Sequence, residues 1–253
     1  LFSRQYQAPV LYENPAGGMF PMLPMANRVA GNRFIFQGRE IVLPRHHADA
    51  HFFLHGDGWL QCWDIIARGG DFCVLQLRRQ HVCGFDYLAQ IRYQLLRNQL
   101  IASLTLTHCG STPIPYGCGF HPFFSFDKRS TVQFAASGYW PEGEQHLPLD
   151  WQSPLPGYAD FSHPQYGEDR WLNVGYSGWS GRARIVSNVM NIAILSQTSW
   201  LMLFRMQGEP FLCLEPQTHP VNAHNMEGQP GLRVLGTGDT LNFSLKIDVQ
   251  GRE

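Results

Sequence analysis

Two histidines and one glutamate stand out, because each lies in a short segment in which glycine or proline bends the backbone. His55 lies in a Leu-His-Gly segment, His121 lies within the segment 119–124 (GFHPFF), and Glu215 directly precedes a proline. Histidine and carboxylate side chains give and take protons readily near neutral pH. Together these residues predict an acid–base site for a small polar substrate.

The segments that must position these residues alternate apolar and polar side chains with a period of two, which is typical of β-strands. Predicted hairpins join 33–36 to 39–43, 63–67 to 72–77, and 88–96 to 100–107. Further strands are predicted at 131–135, 182–186, 192–196, 201–206, 211–215 and 241–249. No segment forms a convincing amphipathic helix. The pattern predicts an all-β fold, specifically a large antiparallel β-sandwich.

Composition limits the classes of protein that need to be considered. The 253 residues are 44% hydrophobic and 15% charged, which provides a sizeable core and too few charges for a disordered chain. We expect a single domain over residues 1–253, since no linker separates two units. The formal net charge is −1 and no Lys/Arg run occurs, so neither nucleic acid nor a membrane is an expected partner. No stretch approaches the roughly 18 apolar residues that span a bilayer.

The six cysteines match no zinc or haem spacing and include no Cys-x-x-Cys pair. Cys73, Cys109 and Cys213 lie within apolar strand patterns, so buried thiols are predicted in preference to disulfides. Free thiols favour a reducing compartment, and the expected localisation is cytoplasmic. The chain begins at Leu1, which indicates that an N-terminal segment is missing and leaves a signal peptide open.

The segment 139–166 differs in residue composition from the predicted strands. It contains five prolines, at positions 141, 148, 154, 156 and 164. Proline lacks the backbone donor that a central strand needs, so a long irregular surface loop is predicted here. Such a loop either forms the wall of a site or simply connects two groups of strands.

Four blocks, in this order, resemble the aldose 1-epimerase (galactose mutarotase) family. They are Asn-Arg-Val at 27–29 with the Leu-His-Gly turn at 54–56 and Trp63, Gly-Phe-His-Pro-Phe-Phe at 119–124, Gly-Trp-Ser-Gly at 178–181, and Cys-Leu-Glu-Pro at 213–216 followed by Pro-Val-Asn-Ala at 220–223. The similarity extends from about Arg4 to about Val249. It implies the galactose mutarotase-like supersandwich fold, with the first strands of that fold preceding Leu1.

The resemblance implies that the enzyme interconverts the α and β anomers of a free hexose through the open-chain aldehyde. Glu215 is then the base near O1 and His121 the acid near the ring oxygen, and the chemistry needs no cofactor and no metal. Each of these residues is followed by a proline, which restricts the preceding backbone to extended conformations. We therefore expect Glu215 and His121 to be held at strand ends.

The resemblance also implies residues that bind the sugar hydroxyls. Arg28 offers a fork of donors, Asn27 an amide, and His55 a bridge between the ring oxygen and a neighbouring hydroxyl. Asn173 stands where the family usually has a carboxylate, so substrate affinity and preference are expected to differ from the family's. Asp169, four residues earlier, is a weaker candidate to replace that carboxylate.

Other interpretations of these residues stay open at this stage. Glu215 or Arg28 can belong to a structural ion pair, His55 can be a core histidine, and Trp179 can pack in the core or stack on a sugar. A metal site among the histidines at 46, 47, 51 and 55 is not favoured, because no carboxylate lies at a ligand-like spacing.

Two further functions compete with the free-hexose epimerase. A hexose-6-phosphate epimerase would need extra cations, which residues 45–47 or Arg78 and Arg79 can supply. A non-catalytic carbohydrate-binding protein would more naturally lack the glutamate or the histidine. The expected partner is a small sugar, and the expected oligomeric state is a monomer or a homodimer.

Overall fold

The computed structural model describes residues 1–13 and 17–251, so residues 14–16 and 252–253 of the predicted domain lie outside it. In the described part, nearly all regular structure is β, which confirms the all-β prediction. The strands are β1 (Phe2–Ser3), β2 (Ala8–Pro9), β3 (Met19–Met22), β4 (Arg33–Phe36), β5 (Arg39–Val42), β6 (Asp64–Arg68), β7 (Phe72–Gln80), β8 (Asp86–Leu96), β9 (Gln99–His108), β10 (Ile114–Tyr116), β11 (Gly119–Ser125), β12 (Thr131–Phe134), β13 (Gly138–Trp140), β14 (Gln165–Tyr166), β15 (Leu172–Ser177), β16 (Arg182–Val186), β17 (Met190–Ser196), β18 (Trp200–Arg205), β19 (Phe211–Gln217), β20 (Arg233–Leu235) and β21 (Thr240–Gly251).

Two large antiparallel sheets dominate the described residues. One has six strands in the order β13-β15-β18-β19-β11-β3, and the other has nine in the order β14-β12-β16-β17-β21-β9-β8-β7-β6. Three two-stranded ribbons, β1-β2, β4-β5 and β10-β20, complete the sheets. Short 3₁₀ turns lie at Ala30–Asn32, Gly58–Leu60, Glu144–His146 and Ala223–Asn225. This is the predicted antiparallel sandwich.

The core follows from the alternation that the sequence shows. In β8 and β9 every second residue over much of each strand is buried, including Ile91 and Leu104. These side chains belong to one apolar cluster together with Phe120, Leu203 and Leu214 from the six-stranded sheet. Each such side chain contributes about 1.5–3 kcal/mol when fully buried. The interface between the two sheets therefore fixes the strands that carry the site.

The expectation that Glu215 and His121 lie at strand ends was wrong, because His121 lies inside β11 and Glu215 inside β19. Pro122 lies inside β11 and Pro216 inside β19, and neither strand is at an edge of the sheet. The β11–β19 ladder pairs Gly119 with Gln217 and resumes only at Phe123. Since proline has no N–H to donate, the ladder is interrupted over the stretch that contains both prolines. Neighbouring strands and packing hold this stretch extended instead.

The proline-rich segment 139–166 is largely irregular, as predicted. Only the end of β13, one 3₁₀ turn and β14 interrupt it. All six cysteines are free thiols. Cys213 is buried as predicted and Cys73 is half-buried, whereas Cys109 is exposed because it follows the last residue of β9. In the described residues, no helix has the length and apolar character needed to cross a membrane.

Gly56, directly after His55, is required by its surroundings. Its φ is +65°, and a Cβ there would lie 2.1 Å from the carbonyl oxygen of Leu23. We expect Gly56→Ala to destabilise the protein by at least about 2 kcal/mol, since left-handed backbone and steric overlap both oppose it. The midpoint of thermal unfolding should fall by roughly 5 °C or more.

Gly38, in the turn between β4 and β5, provides the matched control. Its φ is +74°, but a Cβ added there would have nothing within 4 Å. Gly38→Ala should therefore show only the cost of the left-handed backbone, about 1 kcal/mol. Equal losses of thermal stability in the two variants would contradict the role of the close approach to Leu23.

Candidate active site

The predicted acid and base lie opposite each other on neighbouring strands. Phe123 of β11 pairs with Cys213 of β19, and the same register two residues away sets His121 opposite Glu215. The His121 Nε2 and Glu215 Oε1 atoms are 3.1 Å apart, and both side chains are almost completely buried. The structure thus brings together two residues that are 94 positions apart in the sequence.

Asn173 faces the same side of the sheet as this pair. It pairs with Phe204 of β18, which in turn pairs with Cys213 of β19. Cys213 is two residues before Glu215, and residues two apart on a strand share a face. The opposite face packs in the core between the sheets. The six-stranded sheet therefore has one buried structural face and one face that carries polar residues.

A cavity of about 290 Å³ lies over this polar face. All six residues predicted to form the site line it, together with seven others, mostly aromatic: Phe20, Leu54, Trp59, Phe123, His146, Trp171 and Phe204. Its volume is at the lower end of the range for small-molecule pockets. The arrangement fits a ligand with apolar faces and several hydroxyls.

Burial shifts the pKa values of the pair in opposite directions. It raises the pKa of Glu215 to about 8, with an opposing contribution from the cationic Arg28. It lowers the pKa of His121 to about 3. Near pH 7 the two residues therefore hold one proton between them, and burial favours the neutral form with this proton on Glu215. Glu215 Oε2 is buried and has no hydrogen-bond partner in the described residues.

His55 is held by reciprocal hydrogen bonds with Asn27. The His55 N–H donates to the Asn27 carbonyl at 2.9 Å, and the Asn27 N–H donates to His55 Nδ1 at 3.1 Å. Because a backbone N–H can only donate, Nδ1 carries no proton and a neutral His55 carries its proton on Nε2. Burial, with the nearby His121 and Arg28, lowers the pKa of His55 well below its usual value. His55 is thus a neutral donor to the cavity.

Arg28 is positioned through its backbone by the segment at 220–223. The Asn222 N–H donates to the Arg28 carbonyl at 2.9 Å, and the Asn222 side-chain oxygen accepts from the Ala30 N–H at 2.9 Å. The Arg28 guanidinium donates to the Asn27 side-chain oxygen at 3.3 Å. Burial lowers the pKa of Arg28, but the guanidinium stays cationic near neutral pH. The segment 220–223, from the fourth sequence block, therefore fixes the backbone of the cationic Arg28 in the cavity wall.

Asn173 contacts a carboxylate that the sequence analysis missed. Its Nδ2 donates to Glu142 Oε1 at 2.6 Å. Glu142 comes from the proline-rich segment after β13, where no periodicity fixes which side chains face the sheet. Asp169, considered for this role, instead accepts from the Gly208 N–H at 2.6 Å and does not line the cavity.

The structure decides between the two positions left open for Trp179. Trp179 is 3% exposed, donates to the Arg182 carbonyl and packs in the core. Trp59 and Trp171 line the cavity instead. Phe20 of β3 pairs with His121 and stacks on its ring with centroids 4.5 Å apart. Only the β3–β11 pairing reveals Phe20, and that pairing is not evident in the sequence.

His55, His121 and Glu215 are also arranged so that they could hold a metal ion. One ligand atom from each lies within 4.8 Å of the other two. Of the four histidines at 46, 47, 51 and 55, His55 alone lines the cavity. A metal ion here would compete with the proton held by the Glu215–His121 pair. The expectation that the chemistry needs no metal stays a prediction.

The cations considered for a phosphate group lie elsewhere. Arg78 forms an ion pair with Asp86, and Arg79 Nη2 donates to Asp57 Oδ2 at 2.5 Å. Neither arginine lines the cavity, and neither do residues 45–47. Asp57 is buried two residues after His55, so Arg79 helps to anchor the turn that carries His55.

Comparison with known proteins identifies the family. The aldose 1-epimerase family profile matches residues 6–248. The chain is 34% identical over 244 residues to YphB, an uncharacterized protein of Escherichia coli (strain K12), covering 91% of this chain and 83% of YphB. The solved structure of a candidate aldose 1-epimerase of Escherichia coli K12 matches with a TM-score of 0.91 and 32% identity, covering 97% of this chain and 90% of the other. The chain belongs to the aldose 1-epimerase family.

More distant solved structures share the fold. A galactose mutarotase-like protein of Lactobacillus casei matches with a TM-score of 0.79 at 14% identity, covering 98% of this chain and 92% of the other. A GalM/aldose epimerase homologue of C. elegans matches with a TM-score of 0.76 at 17% identity, covering 92% and 82%. These likenesses confirm the predicted galactose mutarotase-like fold.

Proposed function

We propose that this protein is an aldose 1-epimerase that interconverts the α and β anomers of a free hexose. Glu215 is the base near O1, and His121 is the acid near the ring oxygen O5. The observation that carries this proposal is the buried contact of 3.1 Å between His121 Nε2 and Glu215 Oε1 in the wall of a cavity of about 290 Å³. A buried acid and base in one small cavity suit proton transfer to and from a bound sugar.

Ring opening requires two proton transfers and no redox change. Glu215 takes the proton of the O1 hydroxyl while the C1–O5 bond breaks, and the electron pair of that bond goes to O5. His121 gives a proton to O5, and C1 becomes the aldehyde carbon. After rotation about the C1–C2 bond, the same transfers run in reverse and close the ring on the other face. Holding both groups near their targets supplies much of the rate enhancement.

The single proton of the pair fits this sequence of steps. Because the resting pair carries its proton on Glu215, this proton must first move to His121. Ring opening then begins with protonated His121 and ionised Glu215, and it ends with Glu215 protonated and His121 neutral. The product form is the one that burial favours, since it separates no charge. The cationic Arg28 favours the ionised Glu215 needed at the start.

The alternatives receive less support from the cavity. A hexose 6-phosphate would need cations near C6, and the arginines considered for that role are paired with Asp57 and Asp86 away from the cavity. A non-catalytic sugar-binding protein has no need for a buried glutamate whose pKa lies near 8. Such a shifted carboxyl group is typical of an acid–base site.

The test is the rate of anomer interconversion after fresh α-D-glucose or α-D-galactose is dissolved, followed by polarimetry. We expect the protein to accelerate equilibration of at least one free aldose above the rate in buffer, and to act less efficiently on glucose 6-phosphate. Preferred turnover of the phosphosugar would favour the hexose-6-phosphate epimerase instead. Sugar binding without any acceleration would contradict the enzyme and leave a binding protein.

A further inference from the structure

Glu142 organises one wall of the cavity. Its Oε1 accepts from Asn173 Nδ2 at 2.6 Å and from His146 Nδ1 at 2.5 Å, and its Oε2 accepts from Trp171 Nε1 at 2.7 Å. The three donor residues all line the cavity that contains Glu215 and His121. Three hydrogen bonds to one carboxylate are charge-assisted and therefore strong. Glu142 thus fixes the side chains that face the substrate on this side.

The charge of Glu142 is maintained at working pH. Partial burial opposes ionisation, but the hydrogen bonds from Asn173, His146 and Trp171 outweigh it and hold the pKa of Glu142 below its usual value. Glu142 also favours the charged form of Arg28, across the cavity wall. Near neutral pH a negative charge therefore lies beside the cavity.

The contact with Glu142 decides which atom Asn173 offers to a ligand. An asparagine side chain has an acceptor oxygen and an NH2 group with two N–H donors, and here one of these donors is committed to the Glu142 carboxylate. The reversed amide orientation would set oxygen against oxygen and is excluded. The Asn173 oxygen, which has no partner in the described residues, is therefore turned away from Glu142 and is available to accept from a ligand. It is an acceptor, like the carboxylate implied for this position by the family resemblance.

We propose that Glu142 is a specificity-determining positioning residue that, with Asn173, replaces a single family carboxylate by an acceptor divided between two residues. This inference rests on the proposed epimerase function. The Asn173 oxygen accepts a hydrogen bond from a sugar hydroxyl, and the adjacent Glu142 supplies the negative charge. Because like charges repel, this wall selects neutral aldoses and disfavours sugars with a carboxylate or phosphate group near it.

A charge exchange between the two positions tests the inference. Glu142→Gln removes the charge and sets an amide N–H against one of the three donors, so it should raise KM for the preferred free aldose about 10- to 100-fold. Asn173→Asp sets two carboxylates in contact and should raise KM similarly. The double variant Glu142→Gln/Asn173→Asp restores one carboxylate and one amide, and it should recover KM to within about threefold of wild type. All three variants should retain kcat within roughly threefold.

Selectivity between charged and neutral sugars is a second measurement, and a purely structural role of Glu142 would not change it. Glu142→Gln should raise kcat/KM for glucuronate relative to glucose about 10-fold, since the repulsion is removed. Glu144→Gln is the matched control, because Glu144 lies two residues away in the same segment and is exposed. It should leave both KM and selectivity unchanged. Unchanged KM in both single variants, or a double variant no better than the worse single one, would overturn the inference.

Equilibrium binding separates this inference from the epimerase proposal. If the wild-type protein proves inactive, Kd values for glucose are measured on the same variants by calorimetry. Weaker glucose binding in both single variants and recovered binding in the double variant would support the role of Glu142 and Asn173, even though the enzyme proposal fails. Equal Kd values for wild type and both single variants, or no sugar binding by the wild type, would overturn it.

Discussion

Replacing Glu215 by glutamine is expected to lower kcat for anomer interconversion about 10²- to 10⁴-fold, the usual contribution of a general acid or base. Glutamine keeps the shape of the buried side chain but cannot take the O1 proton. His121→Asn should cost a similar factor, because O5 then receives no proton as the ring opens. KM should change by less than about threefold, since the transfers matter mainly in the transition state. Initial rates from polarimetry give both constants.

The double variant adds a sharper criterion. Glu215 and His121 share one proton across a contact of 3.1 Å, so they act as a unit. The variant Glu215→Gln/His121→Asn should therefore lose about as much activity as the worse single variant, far less than the product of the two losses. Glu227→Gln, at an exposed position, is the control and should keep the wild-type rate. Multiplying losses would indicate two independent roles, and retained activity in either single variant would remove that residue from the mechanism.

The same Glu215→Gln variant is expected to be more stable than wild type at pH 7. Burial raises the pKa of Glu215 from 4.5 to about 8, so the folded protein binds more protons than the unfolded chain between these values. The contribution of Glu215 to the unfolding free energy is therefore fully present below pH 4.5 and is lost as pH rises towards 8. Glutamine stays neutral at every pH. The free energy of unfolding of Glu215→Gln should therefore exceed that of wild type by roughly 3 kcal/mol at pH 7.

Thermal unfolding across a pH series measures this effect. The difference in unfolding midpoint between Glu215→Gln and wild type should be near zero at about pH 4 and reach roughly 5–10 °C at about pH 7. His121 acts in the opposite sense, because burial lowers its pKa to about 3, but it is present in both proteins and cancels in the difference. Glu227→Gln serves again as the control. A difference that does not vary with pH would contradict the burial of an ionising Glu215.

The strand pattern of this fold was largely predictable, and the exceptions have physical causes. Strands β8, β9 and β21 alternate buried and more exposed residues because one face of the nine-stranded sheet packs on the core. Strand β11 was not predicted as a strand. Its two faces are both buried, between core and cavity, so the alternation that marks a half-exposed strand is absent. Pro122 further obscured it, since proline is uncommon in a central strand.

The candidate site was also predictable only in part. The resemblance indicated all six predicted residues, and the structure brings all six to one cavity. The strand register explains why His121 and Glu215 meet, although the sequence alone gives no pairing between β11 and β19. Glu142 escaped prediction because it lies in an irregular, proline-rich segment, where neither periodicity nor a motif indicates the direction of a side chain. The missing carboxylate at position 173 was the one signal that another acidic residue compensates, and the sequence analysis considered Asp169 for this role instead of Glu142.

The most direct test of the central claim is two-dimensional NMR exchange between the anomers of [1-¹³C]-labelled glucose and galactose at equilibrium, at neutral pH. For at least one of the two sugars, exchange peaks between the α and β signals should build up at a rate proportional to the concentration of wild-type protein. With Glu215→Gln in place of wild type, the rate should return to nearly that of buffer alone. Exchange no faster with wild type than in buffer, for both sugars, would contradict the claim that Glu215 and His121 form the acid–base pair of a free-hexose epimerase.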